Sequence, residues 1–134
     1  ADGVVGERIL EKYKIAFMHD VEEHLKSLEK LKKLDGKLFI PAHDKPCADL
    51  KPLVDGNIEN IMFVLGEIKR FCADGITIDG LLERIFSEFH IKLYLTQYEL
   101  IGHTARSLLA YLKKKGEIAC VYEGSRLLWK TRNL

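Results

Sequence analysis

The chain has 134 residues, 47% of them hydrophobic and 31% charged, with a formal net charge of +1. That balance suits one small globular domain, or one and a half, and excludes a disordered tail. No apolar run approaches membrane-spanning length, and the N-terminus lacks a basic segment followed by an apolar one, so the sequence reads as that of a soluble chain. The cysteines Cys47, Cys72 and Cys120 are odd in number and far apart. They fit reduced thiols of a cytoplasmic protein better than a disulfide framework.

In chain order, Val4 to Tyr13 carries Ile9, Leu10 and Tyr13 at helical spacing, which predicts a short helical turn. Asp20 opens a clearer helix, with Asp20 and Glu23 as a capping-box-like pair near its positive end. Val21, Leu25, Leu28 and Leu31 make the apolar face, and Glu22, Lys26, Glu29 and Lys33 the wet one. Gly36 supplies a C-terminal stop. A strand, Lys37–Ile40, follows at once and runs into Pro41, so helix and strand form one αβ unit. His43 sits just past that strand, where a rigid element delivers an imidazole into a turn and a metal can be ligated. Asp49 and Pro52 signal the next start. Leu50, Leu53, Val54, Ile58, Ile61, Met62, Leu65, Ile68 and Cys72 then recur at three- and four-residue steps up to Gly75, predicting one long helix loosened at Gly56.

The remainder has a different rhythm. Thr77 caps a helix whose inner face is Ile78, Leu81, Leu82, Ile85, Phe86 and Phe89. A polar-aromatic break over His90–Gln97 precedes another helix with Ile101, Ala105, Leu108 and Leu112 inward and Gly116 at its end. Glu117–Tyr122 and Arg126–Lys130 read as two strands around Glu123-Gly124-Ser125. The expected fold class is α+β, mainly α with short strands. Its parts are an αβ unit over 1–48, a long linking helix over 49–74 and a winged-helix-like region over 75–134.

Several stretches together carry a resemblance: Asp2-Gly-Val-Val-Gly-Glu-Arg-Ile-Leu-Glu-Lys-Tyr, Phe17 with Asp20, Leu25-Lys-Ser-Leu-Glu-Lys-Leu, and Ile40-Pro-Ala-His-Asp. With Asn57-Ile58 and the closing Tyr111-Leu112, Gly116-Glu117-Ile118 and Trp129, they resemble the later part of a metallo-β-lactamase-fold hydrolase. The subgroup resembled carries a C-terminal winged-helix extension. The resemblance implies that Asp2 is the aspartate bridging two metal ions and His43 the last histidine ligand of the second. It implies two zinc ions in a full-length parent, with metal-activated water attacking an ester, thioester, lactone or similar bond. Ala42 and Asp44 stand where the family usually has glycines, which bears on loop geometry. The His-Arg pair the subgroup often places before the helix asparagine is Asp55-Gly56 here, so its substrate contact does not carry over.

The family's His-x-His-x-Asp-His motif and third-motif histidine occur nowhere in the chain. His19 and His24 do not substitute, being five apart with no His-Glu-x-x-His pattern. Catalytic zinc needs at least three protein ligands and an open position. The isolated chain is therefore expected to be a C-terminal fragment, inactive by itself and holding no metal. The strand at 37–41, without its neighbouring strands, is expected to pair with a second copy as a homodimer.

Other residues have plainer readings. Cys72 and Cys120 fall within apolar patterns as small core residues. Cys47 lies near His43 with no second cysteine beside it, which favours a loop thiol over a ligand or nucleophile. His90 and His103 read as surface or helix-flank polar residues. Lys113-Lys114-Lys115 complements the end of a helix dipole. From Gly75 onward nine basic residues oppose six acidic ones, a mild excess that makes nucleic acid a disfavoured partner. The alternative to the hydrolase fragment is a winged-helix module binding nucleic acid or protein. Tyr94, Tyr98 and Trp129 are the candidates to touch substrate or a partner.

Overall fold

The computed structural model describes residues 15, 18, 20–32 and 51–132. The predicted turn over Val4–Tyr13, the strand at 37–41 with its expected dimer contact, Cys47, Asp2 and His43 lie outside them. The order is α1 (Val21–Lys32), α2 (Lys51–Phe71), α3 (Ile78–Glu88), α4 (Leu95–Lys114), β1 (Ile118–Glu123) and β2 (Arg126–Thr131). The chain is α+β and mainly helical among the described residues. It divides into two compact units, the first holding Ile15, α1 and α2 up to Val64, the second Met18, Asp20 and Leu65 onward.

In the first unit, α1 buries Val21 and Leu28 and leaves Glu23, Lys26, Glu29 and Lys30 wet, the periodicity its sequence carries. Lys32 reaches Asp55 of α2 at 2.7 Å. That hydrogen bond and the carboxylate's charge hold the Lys32 ammonium above its ordinary range. α2 runs unbroken through Gly56, contrary to the predicted loosening. Val54, Asn57, Ile61 and Val64 are buried at three- and four-residue steps, and that seam outweighs a propensity penalty of about 1 kcal/mol for one glycine.

The second unit is built on the end of α2. Thr77 caps α3, its hydroxyl accepting the Gly80 N–H at 3.1 Å, and Leu81, Leu82, Ile85 and Phe86 are buried. The break before α4 is shorter than predicted. α4 begins at Leu95, so Leu95, Thr96 and Gln97 are helical, with Tyr94 in the N-cap position and no side-chain cap. Ile101, Ala105, Leu108 and Leu112 are buried as expected. Thr104 is also fully buried, and its hydroxyl accepts the Met18 N–H at 3.2 Å.

α3 and α4 end in the same way. After α4, Gly116 (φ 77°) donates to the Lys113 carbonyl and Glu117 to that of Leu112, the two bonds of a Schellman cap. After α3, His90 donates to Ser87 and Ile91 to Phe86, with His90 taking φ 54° where glycine would usually stand. The hairpin is antiparallel, pairing Ile118 with Thr131 and Glu123 with Arg126 across a two-residue loop. Gly124 (φ 62°) occupies the first loop position, as in II′ hairpins.

The outer edge of β2 is also paired. Trp129 stands opposite Cys120 in register, but its N–H and carbonyl bond Ile76 at 2.8 and 3.0 Å. Thr131 donates its N–H to the Cys72 carbonyl and its hydroxyl to that of Lys69, at 3.0 and 2.6 Å. Lys69 in turn pairs with Glu117 at 2.7 Å. The hairpin is thus stitched to the end of α2. The guanidiniums of Arg70 and Arg84 lie 4.8 and 4.5 Å from the Phe71 ring, and Glu88 bridges both arginines.

Candidate functional site

One cleft of the second unit lies between α3 and the start of α4. Its walls follow from the two helix patterns. Asp79, Glu83 and Ser87 recur at four-residue steps on the outer face of α3, while Phe86 comes from its buried edge. Across from them stand Leu93, in the connecting segment, and Tyr98, one turn into α4. Together these six residues line a cleft of about 480 Å³, within the usual range for ligand sites. The Tyr98 and Phe86 rings stack 6.0 Å apart with planes 19° from parallel, and the Tyr98 hydroxyl donates to Asp79 Oδ1 at 3.3 Å. That aromatic and hydroxyl partition separates the cleft from a smaller one of about 290 Å³, lined by Asp79, Leu82, Tyr98, Glu99, Gly102, His103 and Arg106.

The rim beside this cleft is strongly apolar. Leu93, Tyr94 and Leu95 are consecutive and 64%, 53% and 74% exposed. A run of three large exposed apolar residues is abnormal for a solvated surface and normal for a contact surface. The larger cleft presents two carboxylates and no cation. Asp79 stands in the first turn of α3, where the positive end of the helix favours its charge. Glu83 has no described cation beside it. The set is suited to hold a positive charge against aromatic faces.

Tyr94 and Tyr98, four apart, share one side of the start of α4, and Tyr98 lines both clefts. Trp129 lies half-buried in β2, its backbone committed to Ile76, away from either lining. His103 lines the smaller cleft and His90 caps α3. Asp79 and Glu83 are not singled out by the sequence, where they count only among the six acidic residues from Gly75 onward; both lie on the exposed face of α3. Only the packing of α4 against α3 makes that face one wall of a cleft. Asp2 and His43 lie outside the described residues. Among the described residues, no three of His, Cys, Asp and Glu come close enough together to hold a metal ion.

No family model matches the chain, and no curated protein does. Among solved structures it is similar to a beta-lactamase domain protein from Burkholderia ambifaria, with a TM-score of 0.73 and 17% identity. The two share a fold. The similarity covers 96% of this chain and 37% of that one, so the chain spans little more than a third of the length of the protein it matches. Among the described residues, no helix is long and apolar enough to cross a membrane.

Proposed function

We propose that this chain is the C-terminal part of a metal-dependent hydrolase of the metallo-β-lactamase superfamily, and that the chain by itself does not turn over substrate. The observation that carries this reading is the shared fold over 96% of the chain but only 37% of a beta-lactamase domain protein. Asp2 and His43 would be two ligands of a two-zinc site, with the remaining ligands supplied by sequence upstream. A two-ligand remnant is too few for catalytic zinc. The free thiols Cys72 and Cys120 support a cytoplasmic setting.

The test joins this chain to its native upstream sequence and assays hydrolysis of ester, thioester and lactone substrates. The longer protein is expected to act on one of these classes, to lose activity to a chelator, and to drop at least about 100-fold on Asp2→Asn or His43→Ala. A longer protein inert on all three, with and without zinc, removes the reading. The 134-residue chain by itself tests the proposed homodimer through residues 37–41: light scattering is expected to give twice the chain mass, and a monomeric mass at high concentration rejects it.

A second reading treats residues 65–132 as a winged-helix binding module. It is favoured by the order of helix, bridging residue, two helices and hairpin, with Ile76 paired to Trp129 as a one-residue third strand. Protein is the better partner for such a module. The start of α4 offers Leu95, Tyr98, Glu99 and Leu100, with Asp79 nearby, where a reader of phosphates would place lysine or arginine.

A further inference from the structure

We propose that the α3–α4 cleft is a docking site for a basic amphipathic segment of a partner protein. In it, a lysine or arginine side chain enters between Asp79, Glu83 and the Phe86–Tyr98 pair, while flanking apolar residues of the same segment cover Leu93 and Leu95. This inference deepens the second reading by naming the partner's chemistry, and it does not depend on the hydrolase reading.

Three observations converge on that occupant. The first is charge: the larger cleft is lined by two carboxylates and no base. An anionic partner would meet repulsion there, and a neutral one would leave Glu83 uncompensated against the apolar wall. The second is the aromatic pair. Phe86 and Tyr98 stack 6.0 Å apart at one side of the cleft, and ring faces attract a partly desolvated ammonium or guanidinium. The long methylene stem of such a side chain would lie on the same rings and on Leu93. The third is the rim. Leu93, Tyr94 and Leu95 form a continuous exposed apolar run beside the carboxylates. A small cation would fill the cleft but leave this run wet. A segment carrying both a cation and apolar neighbours at helical spacing satisfies both at once.

The anchor is prepared in advance. The Tyr98 hydroxyl bond to Asp79 fixes both side chains across the helix junction before anything binds, so less ordering cost falls on association. Among the described residues, no basic side chain lines the larger cleft. Lys113, Lys114 and Lys115 lie at the far end of α4 and Arg126 and Lys130 on β2, while of the nearer ones Arg84 pairs with Glu88, Lys92 precedes Leu93 and Arg106 lines the smaller cleft.

The test uses the 134-residue chain, isotopically labelled, and an acetylated, amidated peptide with lysine and leucine at helical spacing. Its control replaces every lysine by glutamate. The lysine peptide is expected to bind and to shift amides between residues 79 and 102. Asp79→Asn with Glu83→Gln should weaken it about tenfold, as expected for the loss of two partly exposed ion pairs. Leu95→Ser should weaken it separately with both carboxylates intact. These side chains are exposed or line an open cleft, so circular dichroism should be unchanged. Equal binding of the glutamate peptide, indifference to both variants, or shifts confined to Lys113–Lys115 and the hairpin would overturn the proposal. So would a short RNA duplex that shifts residues 79–102 more strongly than the peptide. Because the readout is peptide binding, failure here leaves the hydrolysis assay untouched, and the converse also holds.

Discussion

Leu108→Ala is expected to destabilise the second unit by about 2–5 kcal/mol, the range for removing a buried leucine side chain without collapse of the site. A small domain's whole stability is about 5–15 kcal/mol, so this one change takes a large fraction of it. Leu108 is fully buried in the middle of α4, on the face it shares with Ile101, Ala105 and Leu112. α4 packs on α3 to one side and β1 to the other, so that face sits where helices and hairpin meet. Alanine has the highest helix propensity, and the loss would report packing rather than helix formation. Urea unfolding followed at 222 nm measures it. Lys113→Ala, at an exposed position in the last turn, is expected to cost no more than about 1 kcal/mol through the helix dipole. Equal losses at the two positions would mean that α4 is not held by its buried stripe.

The same stripe explains what could be read before the structure. A helix that buries one face repeats its apolar residues with its own period, so the inward faces of α3 and α4 are legible in Leu81, Leu82, Ile85, Phe86 and in Ile101, Ala105, Leu108, Leu112. Thr77 and Gly116 announce ends because their chemistry is local: a hydroxyl for an orphan N–H, and a residue at ease with positive φ. The start of α4 sends no such signal. Tyr94 occupies the N-cap position without a side-chain bond, and Leu93-Tyr94-Leu95 reads by period as neither helix nor strand. Thr104 is hidden for another reason. Its place in the core is set by an N–H from Met18, 86 residues away, and a threonine on a helix face does not reveal a distant donor. The Ile76–Trp129 bridge is equally silent, since one paired residue has no period. The cleft belongs to this class, because Asp79 and Tyr98 come from separate helices and meet only when those helices pack. The metal-ligand expectations at Asp2 and His43 rest on motif resemblance rather than period, and they are tested by hydrolysis.

Raising the pH above about 9 is expected to cost this protein stability through one thiol, Cys72. The side chain is fully buried at the end of α2, and burial pushes its pKa up to about 12 from an ordinary value of 9.0. Desolvation disfavours the thiolate, so the folded chain holds this proton more tightly than the unfolded chain does. Below pH 9 the thiol is protonated in both states, and the whole contribution is present. Between 9 and 12 the unfolded state gives up its proton while the folded state keeps it. Unfolding is then favoured by up to about 1.4 kcal/mol for each pH unit. Every other ionisable side chain is common to wild type and Cys72→Ala, so wild type is read against that variant. The variant leaves a small cavity and starts from a lower stability, but that offset does not depend on pH. Urea unfolding at pH 8, 9, 10 and 10.5 gives the comparison. The gap between the two proteins should hold from pH 8 to 9 and then narrow, wild type falling faster. A gap that stays constant to pH 10.5 would mean that the folded thiol ionises as readily as the unfolded one. Cys72 would then be reached by water at the junction of α2 with the Thr131 N–H, and the packing that stitches the hairpin to α2 would be looser than its hydrogen bonds imply.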